Sequence, residues 1–489
     1  MTQSLSWRLF RLLLPIAALT TVWACQDHPL APPAPFPSRQ ITKFTTINPS
    51  SKLDVVFMID NSPSMIEEQT NLIRNFPAFM QELQNATPAG TLDVHIGVIS
   101  SDLGAGDQAT VCKAGGDNGT FQHQPRGNHG ACKALPRGSF IIAGPGGNNF
   151  DGPIEDVFSC IAELGTNGCG LEHQLASLRR ALGGDPTTPM PAENAGFLRA
   201  DARLGVVLIS DEDDCSAPPD TDLFTGERDK LTDRYGALES YRCNEFGHLC
   251  GGSPPPRKVD VTLQDCESNE TPSTRLIPVG DMVKFFHSLK PNASDLVVAT
   301  ITGPNMPYGT ELSAPNELSG ANERYVKIKP ACSSANGTAD PAVRLQQFTK
   351  AFGANGITRS ICTDTFAQVM RDIAIIIAPS RNLCIDGRLV DSDTAQPGVQ
   401  ADCVVARPAS SGAAPSAETV IPACERNGNA PPCWSVQANP TKCPAPASPE
   451  SMEIKVDWGS AGPPSNAPLR YSCAVCIGAD GNDPRCARP

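Results

Sequence analysis

Aromatic residues are scarce, 6% of the chain, and charged residues reach only 19%, while 41 glycines and 46 prolines stand beside them. Long stretches must therefore be loop rather than packed helix or sheet. Basic charge is short too: 39 Lys and Arg face 52 Asp and Glu, a net charge of −13. A surface of that sign repels phosphate, which argues against nucleic acid as a partner. The sequence contains no zincin helix, nucleophile elbow, phosphate loop or dinucleotide-binding glycine fingerprint, so an enzyme is not expected. At 489 residues, about three times the ~150-residue domain prior, a single short domain is excluded.

The amino terminus points to a compartment. Arg8 and Arg11 precede Leu12-Leu13-Leu14-Pro15-Ile16-Ala17-Ala18-Leu19, a run too short to span a bilayer, and Val22-Trp23-Ala24-Cys25 follows. This resembles a bacterial lipoprotein signal peptide. The resemblance implies cleavage after residue 24 and a lipidated Cys25 as membrane anchor; the competing reading is an ordinary secretory signal with a chance cysteine. Gln26 resembles the second mature residue of lipoproteins sorted to the outer membrane of Gram-negative bacteria. Pro29 to Pro37 reads as an extended spacer, so residues 1–24 form the signal and 25–45 the tether.

Cysteine usage agrees with export. Of 19 cysteines, setting Cys25 aside leaves an even number, as a fully disulfide-bonded secreted chain requires. They divide into an even set from Cys112 to Cys362 and an even set from Cys384 to Cys486, so each segment can close its own bridges. Cys473-Ala474-Val475-Cys476 has no second pair at zinc-ribbon spacing, which disfavours zinc.

From about residue 46 the text alternates. Asp54 to Asp60, Leu92 to Ile99, Leu204 to Ser210 and Leu296 to Ile301 are the continuous apolar runs of strands buried on both faces. Helical spacing follows the first run at Ile66, Leu72, Ile73, Phe76, Met80 and Leu83, with a kink or break expected at Pro77. Helices are also predicted over 154–164, 171–182, 279–289 and 366–377, and Gly- and Cys-rich insertions lie at about 104–138 and 216–275. The expected fold is α/β: a doubly wound, mostly parallel sheet sandwiched by helices over 46–380. A small Cys- and Pro-rich module would fill 381–489, with one alternating strand from Met452 to Trp458.

The first strand ends in Asp60-Asn61-Ser62-Pro63-Ser64-Met65, and in open parallel sheets ligands bind at the carboxyl ends of strands. A carboxylate and two hydroxyls at alternate positions can converge on a hard divalent cation. Asp-x-Ser-x-Ser closing a buried strand resembles the von Willebrand factor type A family and its metal-ion-dependent adhesion site. Two later loops match in chain order, Gly165-Thr166-Asn167-Gly168 and Asp211 after the strand ending at Ser210. The resemblance implies that Ser62, Ser64 and Thr166 offer hydroxyls to Mg²⁺, or to Mn²⁺ or Ca²⁺, while Asp60 and Asp211 act directly or through water. The sequence departs from the family where Cys169-Gly170-Leu171-Glu172 replaces a second threonine and Glu212-Asp213-Asp214 replaces a glycine. The bland alternative for the turn is a helix N-cap. Cys160 and Cys169 bracket the Thr166 loop and are the first candidate bridge there, with Cys169–Cys215 as competitor. His123 and His129 read as solvated loop residues, and Glu67 and Glu68 as the exposed face of the first helix.

These features describe a lipid-anchored surface protein that presents a divalent cation to an exposed Asp or Glu of a protein ligand, without turnover. A structural envelope organiser with a degenerate site is the alternative, and a metal-dependent hydrolase a more distant one. The anchor has a direct check: Cys25→Ser should release the chain from salt-washed membranes, as read by fractionation, because the acyl chains supply the attachment.

Overall fold

A computed structural model describes residues 38–47, 52–87, 92–105, 112–126, 132, 134–226, 233–257, 259–291, 293–314, 324–378, 383–385, 387–407, 418–440, 443, 450–459, 467–476 and 485–486. The signal segment, Cys25, the proline spacer and His129 lie outside them.

Uninterrupted apolar runs can be buried on both faces of a sheet, and the runs of this chain lie side by side. The largest sheet contains β1 (Lys52–Ile59), β2 (Asp93–Ser100), β3 (Ile141–Ala143), β4 (Arg203–Ile209), β5 (Leu296–Thr302) and β6 (Gly356–Ser360), in the order β6-β5-β4-β1-β2-β3. All its pairings are parallel except β3 with β2. In β1, Val56 faces Gly97 on one side and Val206 on the other, which places β1 at the centre.

The strand period of two divides β1 between two cores. Leu53, Val55, Phe57 and Ile59 pack with α1 (Ile66–Ala86), α2 (Ile154–Ala162) and α7 (Ala367–Ile377). Val56 and Met58 pack with α3 (Gln174–Ala181), α5 (Val279–Ser288) and α6 (Val343–Lys350); α4 (Tyr241–Gly247) belongs to the second insertion. The few aromatics are concentrated: Phe57 meets Phe76, Phe79 and Phe158 edge-on at 6.2, 5.6 and 5.0 Å, and Phe76 stacks on Phe158 at 3.7 Å. This packing holds α1 together, and it runs 21 residues without breaking at Pro77, contrary to the expectation from proline alone.

The chain as a whole is not the doubly wound, mostly parallel α/β sandwich with an appended module that the alternation predicts. The strands are distributed over six sheets of two to six strands, many only three residues long, and the described residues hold just seven helices and nine disulfides. The short pieces are antiparallel pairs inside the insertions, such as His248–Cys250 with Cys266–Ser268 and Cys332–Ser334 with Gly337–Ala339. Three-residue strands have no measurable periodicity, so the apolar runs alone overstate how much of the chain is α/β.

Two compact units emerge. Of the described residues, the larger takes those within Lys43–Cys384 and Val405–Tyr471, and the smaller those within Met1–Thr42, Ile385–Val404 and Ser472–Pro489. In the larger unit Cys433–Ala438 pairs with Met452–Asp457, closed by Cys424–Cys433 and Cys384–Cys443. In the smaller, Cys403–Cys473 and Cys476–Cys486 clamp the backbone where Ala474 N–H donates to the carbonyl oxygen of Asp402 at 2.9 Å. Cys473 and Cys476 thus take separate cystine partners instead of sharing a zinc ion. The early and late cysteine sets each close on themselves.

The aromatic cluster yields a stability test. Phe158→Ala should cost about 3–5 kcal/mol in urea unfolding, since Phe57 and Phe76 both lose their closest ring partner and a cavity remains.

Candidate functional site

β1 delivers Asp60 to the carboxyl edge of the sheet, fully buried. Burying a carboxylate requires partners, and Asp60 draws them from three segments. Its Oδ1 accepts from Ser62 N–H at 2.8 Å and Ser101 Oγ at 3.3 Å, and its Oδ2 accepts from Ser210 Oγ at 2.5 Å. The turn then brings Ser62 Oγ and Ser64 Oγ within 3.2 Å of each other. It does not act as an N-cap, because α1 begins after Met65 with no side-chain cap.

Gln69, one turn into α1, fastens the Thr166 loop to this edge. Its Nε2 donates to Asp60 O at 2.9 Å and Gly165 O at 3.0 Å, while its Oε1 accepts from Gly165 N–H at 3.1 Å. Gly168 N–H donates to Asn61 O at 2.8 Å, and a Cβ at Gly168 would stand 2.6 Å from that same oxygen, so only glycine permits the approach. Asp211 follows β4 and lies beside Ser64, whose hydroxyl partly offsets the burial of its carboxyl. The structure thus brings Asp60, Ser62, Ser64, the Thr166 loop and Asp211 to one edge.

That edge holds more acid than the sequence reading assigned. Glu68, expected on an exposed face, is 2% exposed. Burial, with Asp211, Glu67 and Asp60 adding repulsion, pushes its carboxyl up to about 8. Burial and the Asp60 charge push Asp211 up to about 7; burial and Asp211 do the same for Asp340. Glu172 and Glu212 share a side-chain hydrogen bond, and burial drives both well above the usual carboxyl range. Four oxygens here, Asn61 Oδ1, Glu68 Oε2, Glu172 Oε1 and Asp211 Oδ1, are buried without a hydrogen-bond partner. Two carboxylates, two hydroxyls and orphaned oxygens suit a hard divalent cation chemically. Among the described residues, however, no three or more His, Cys, Asp or Glu side chains are grouped to hold a metal ion. The spacing of Met65, Glu68 and Leu72 on one helical stripe was the available signal for Glu68.

The run after Asp211 resolves into different tasks. Asp213 accepts from His248 Nε2 at 2.8 Å and from the Arg344 and Leu345 N–H groups in the first turn of α6 at 2.8 and 3.0 Å. Burial raises its carboxyl, but these donors outweigh that and hold it below the usual range. Asp214 forms a wholly buried ion pair with Arg344 at 2.9 Å. Both are structural, leaving Asp211 and Glu212 with the edge.

The candidate bridge Cys160–Cys169 does not form, nor does Cys169–Cys215. Cys169 pairs with Cys112, Cys160 with Cys132, and Cys215 with Cys243. Cys169 is buried in a cluster with Cys112, Leu171 and Phe224, while Cys160 lies on α2. Cystines thus tie the first insertion to both sides of the Thr166 loop. His123 is a half-buried loop residue within 3.3 Å of Phe121 O.

No family model and no curated protein matches the chain. Among solved structures it is similar to the pilus adhesin SpaC of Lactobacillus rhamnosus GG, at 10% identity and TM-score 0.30 over 90% of this chain and 41% of that one. It is also similar to the pilus adhesin RrgA of Streptococcus pneumoniae, at 8% identity and TM-score 0.28 over 90% and 58%. The adhesive tip pilin GBS104 of Group B Streptococcus agalactiae matches at 10% identity and TM-score 0.26 over 90% and 82%. The chain spans less than two thirds of the length of the first two. The resemblance to a type A domain protein with a metal-ion-dependent adhesion site on a bacterial lipoprotein is corrected by the site itself. The described residues contain no group of three or more His, Cys, Asp or Glu side chains that could hold a metal ion. Physically, both Asp60 oxygens are engaged by protein donors.

His173 beside this edge is a pH reporter. Its ring sits between Gly104 O at 3.0 Å and Ala217 N–H at 3.4 Å, which requires a proton on Nε2 and none on Nδ1. Burial, with Arg180 adding to it, drives its pKa down to about 4 against an ordinary 6.5. With the folded value depressed, the neutral ring stabilises the fold fully above pH 6.5, and that contribution is lost as the pH falls towards 4. The span is worth ~3 kcal/mol. Urea midpoints of wild type and His173→Gln across pH 4–7 should differ by a slope of this sign.

Proposed function

We propose that this chain is an exported cell-surface adhesion protein. On this reading the edge around Asp60, Ser62, Ser64, Thr166 and Asp211 presents a divalent cation, Mg²⁺ before Mn²⁺ or Ca²⁺, to an acidic group of a protein ligand, without turnover. The observation that carries the reading is the set of buried, unpartnered oxygens gathered there, Asp211 Oδ1 above all. Unpaired buried carboxyls are costly, and a cation would offset both their desolvation and their mutual repulsion. Hydroxyl ligands would leave the ion electrophilic enough to take a carboxylate from another molecule. Nine disulfides support export, since such bridges persist in oxidising compartments. The site residues come from the turn between β1 and α1, the Thr166 loop and the β4 end, each held by bonds to Asp60 or Gln69, so the edge is preorganised.

Calorimetry and thermal melts with each cation test this. A bound cation at hundredfold excess over its dissociation constant should stabilise the fold by ~2.7 kcal/mol. Ser62→Ala and Asp211→Asn should abolish that gain and the metal-dependent capture of carboxylate-bearing protein. No heat and no shift with any of the three ions would overturn the cation, and leave a structural role for this edge.

A further inference from the structure

The second insertion, which the sequence left without a role, contains a cystine unlike the others. Cys250 and Cys266 stand directly opposite each other where His248–Cys250 pairs with Cys266–Ser268, and their Cα atoms are 3.9 Å apart. Seven of the other eight cystines lie at 4.8 to 6.0 Å. Opposed residues of an antiparallel pair normally stand about 4.5 or 5.5 Å apart, and cystines span roughly 4.4–6.8 Å, so this bond draws its strands closer than either preference. Asp265, directly before Cys266, is held at φ +50°, a region uncommon for a residue with a side chain. Cystines constrained in this way are opened more readily by thiols.

Constraint matters only where a nucleophile can reach a sulfur. Cys250 and Cys266 are both half-buried. A Cβ at Gly251 or Gly252, the residues after Cys250, would have no atom within 4 Å beyond its chain neighbours, so that flank is open. The other short cystine, Cys403–Cys473 at 4.1 Å, ends in a fully buried Cys473. Cys332–Cys362 is half-buried at both ends, but its separation is an ordinary 6.0 Å. Cys250–Cys266 alone combines the short span with an open approach.

Opening this bond leaves its strands attached. Asn269 N–H donates to Gly247 O at 2.7 Å, Ser268 N–H to Gln347 Oε1 at 3.0 Å, and His248 bonds Asp213 at 2.8 Å. Charge narrows the reagent, because Cys266 lies between Asp265 and Glu267, both exposed. Two carboxylates disfavour a thiol that carries further negative charge.

We propose that Cys250–Cys266 is a thiol–disulfide exchange site that takes up a thiol free of negative charge as a mixed disulfide. The ligand thiolate forms a bond to Cys250 Sγ, the Cys250–Cys266 bond breaks with its electron pair on Cys266 Sγ, and that sulfur takes a proton from water. The ligand sulfur is oxidised and Cys266 reduced, so no further oxidant or reductant is needed. This site is independent of the cation reading and needs no metal. The test exposes the folded whole chain to 2-mercaptoethanol, to a neutral peptide bearing one cysteine, or to glutathione, then blocks free thiols with iodoacetamide and maps the peptides by mass. An adduct on Cys250 with a blocked Cys266 should form about tenfold faster than any change at Cys332–Cys362, and faster with 2-mercaptoethanol than with anionic glutathione, while far-UV circular dichroism stays unchanged. An adduct with 2-mercaptoethanol alone supports a small thiol as the ligand, and one with the peptide as well supports a protein thiol. The double variant Cys250→Ser, Cys266→Ser should form neither; mapping of the wild-type chain decides the matter even where that variant does not fold. No adduct short of unfolding, first cleavage at Cys332–Cys362 or Cys403–Cys473, or faster uptake of glutathione would overturn the proposal.

Discussion

A fully buried aspartate at the end of the central strand organises this molecule. Asp60 is tolerable there only because Ser62, Ser101 and Ser210 supply donors from three chain segments, and each of those segments ends a strand of the same sheet or follows one. Satisfying one carboxylate therefore fixes where β1, β2 and β4 terminate relative to one another. Gln69 extends the constraint to the Thr166 loop by binding Asp60 O and Gly165 O with one amide. The edge is rigid because a buried charge demands it.

The insertions are stabilised by a different means. Where the sheet relies on apolar runs, the Gly- and Pro-rich segments bury little side chain and depend on cystines to limit their unfolded freedom. Cys215–Cys243 and Cys250–Cys266 bracket α4 and the short strand pair after it. His248, on that pair, reaches back to Asp213, and Arg344 on α6 meets Asp214. Two acids immediately after Asp211 thereby couple the disulfide-held insertion and α6 to the sheet edge. Replacing either one alone would leave a buried charge uncompensated, which is the costly case for such pairs.

Legibility followed physical range. Apolar runs and helical spacing were enough to locate β1, β2, β4, β5 and most helices, because these signals are local. β6, with Thr358 and Arg359 in five residues, and α6, with little apolar periodicity, were not visible; both are stabilised by neighbours distant in sequence. The DNSPS turn and Asp211 were readable because chemistry and chain order coincide there. Glu68 was misread as exposed, since a pair of glutamates at a helix start usually faces water, and only the tertiary fold turns one of them inward. The Cys160–Cys169 pairing failed for a similar reason: short sequence separation favours closure, but the fold had already placed Cys132 and Cys112 against those two sulfurs. The misjudged fold class came from giving long runs the weight of the whole chain.

The acids at this edge are also an argument about electrostatics. Asp60, Glu68, Glu172, Asp211, Glu212 and Asp340 all have raised carboxyl affinities for protons, through burial first and, for all but Asp60, with repulsion from neighbouring acids added. Only Asp213, with His248 and two helix N–H donors, moves the other way. The same sheet edge therefore contains acids neutralised by structure and acids left without a counter-charge, a few residues apart. Selection for stability alone would favour apolar or amide side chains at the latter positions, since Asn or Gln keeps the shape without the repulsion. Carboxyls at these positions cost stability that nearby positive charge would restore. Positive charge brought to those positions would relieve the repulsion, and the hydroxyl oxygens of Ser62 and Ser64, 3.2 Å apart, carry lone pairs that can accept from a cationic donor as well as face a metal ion.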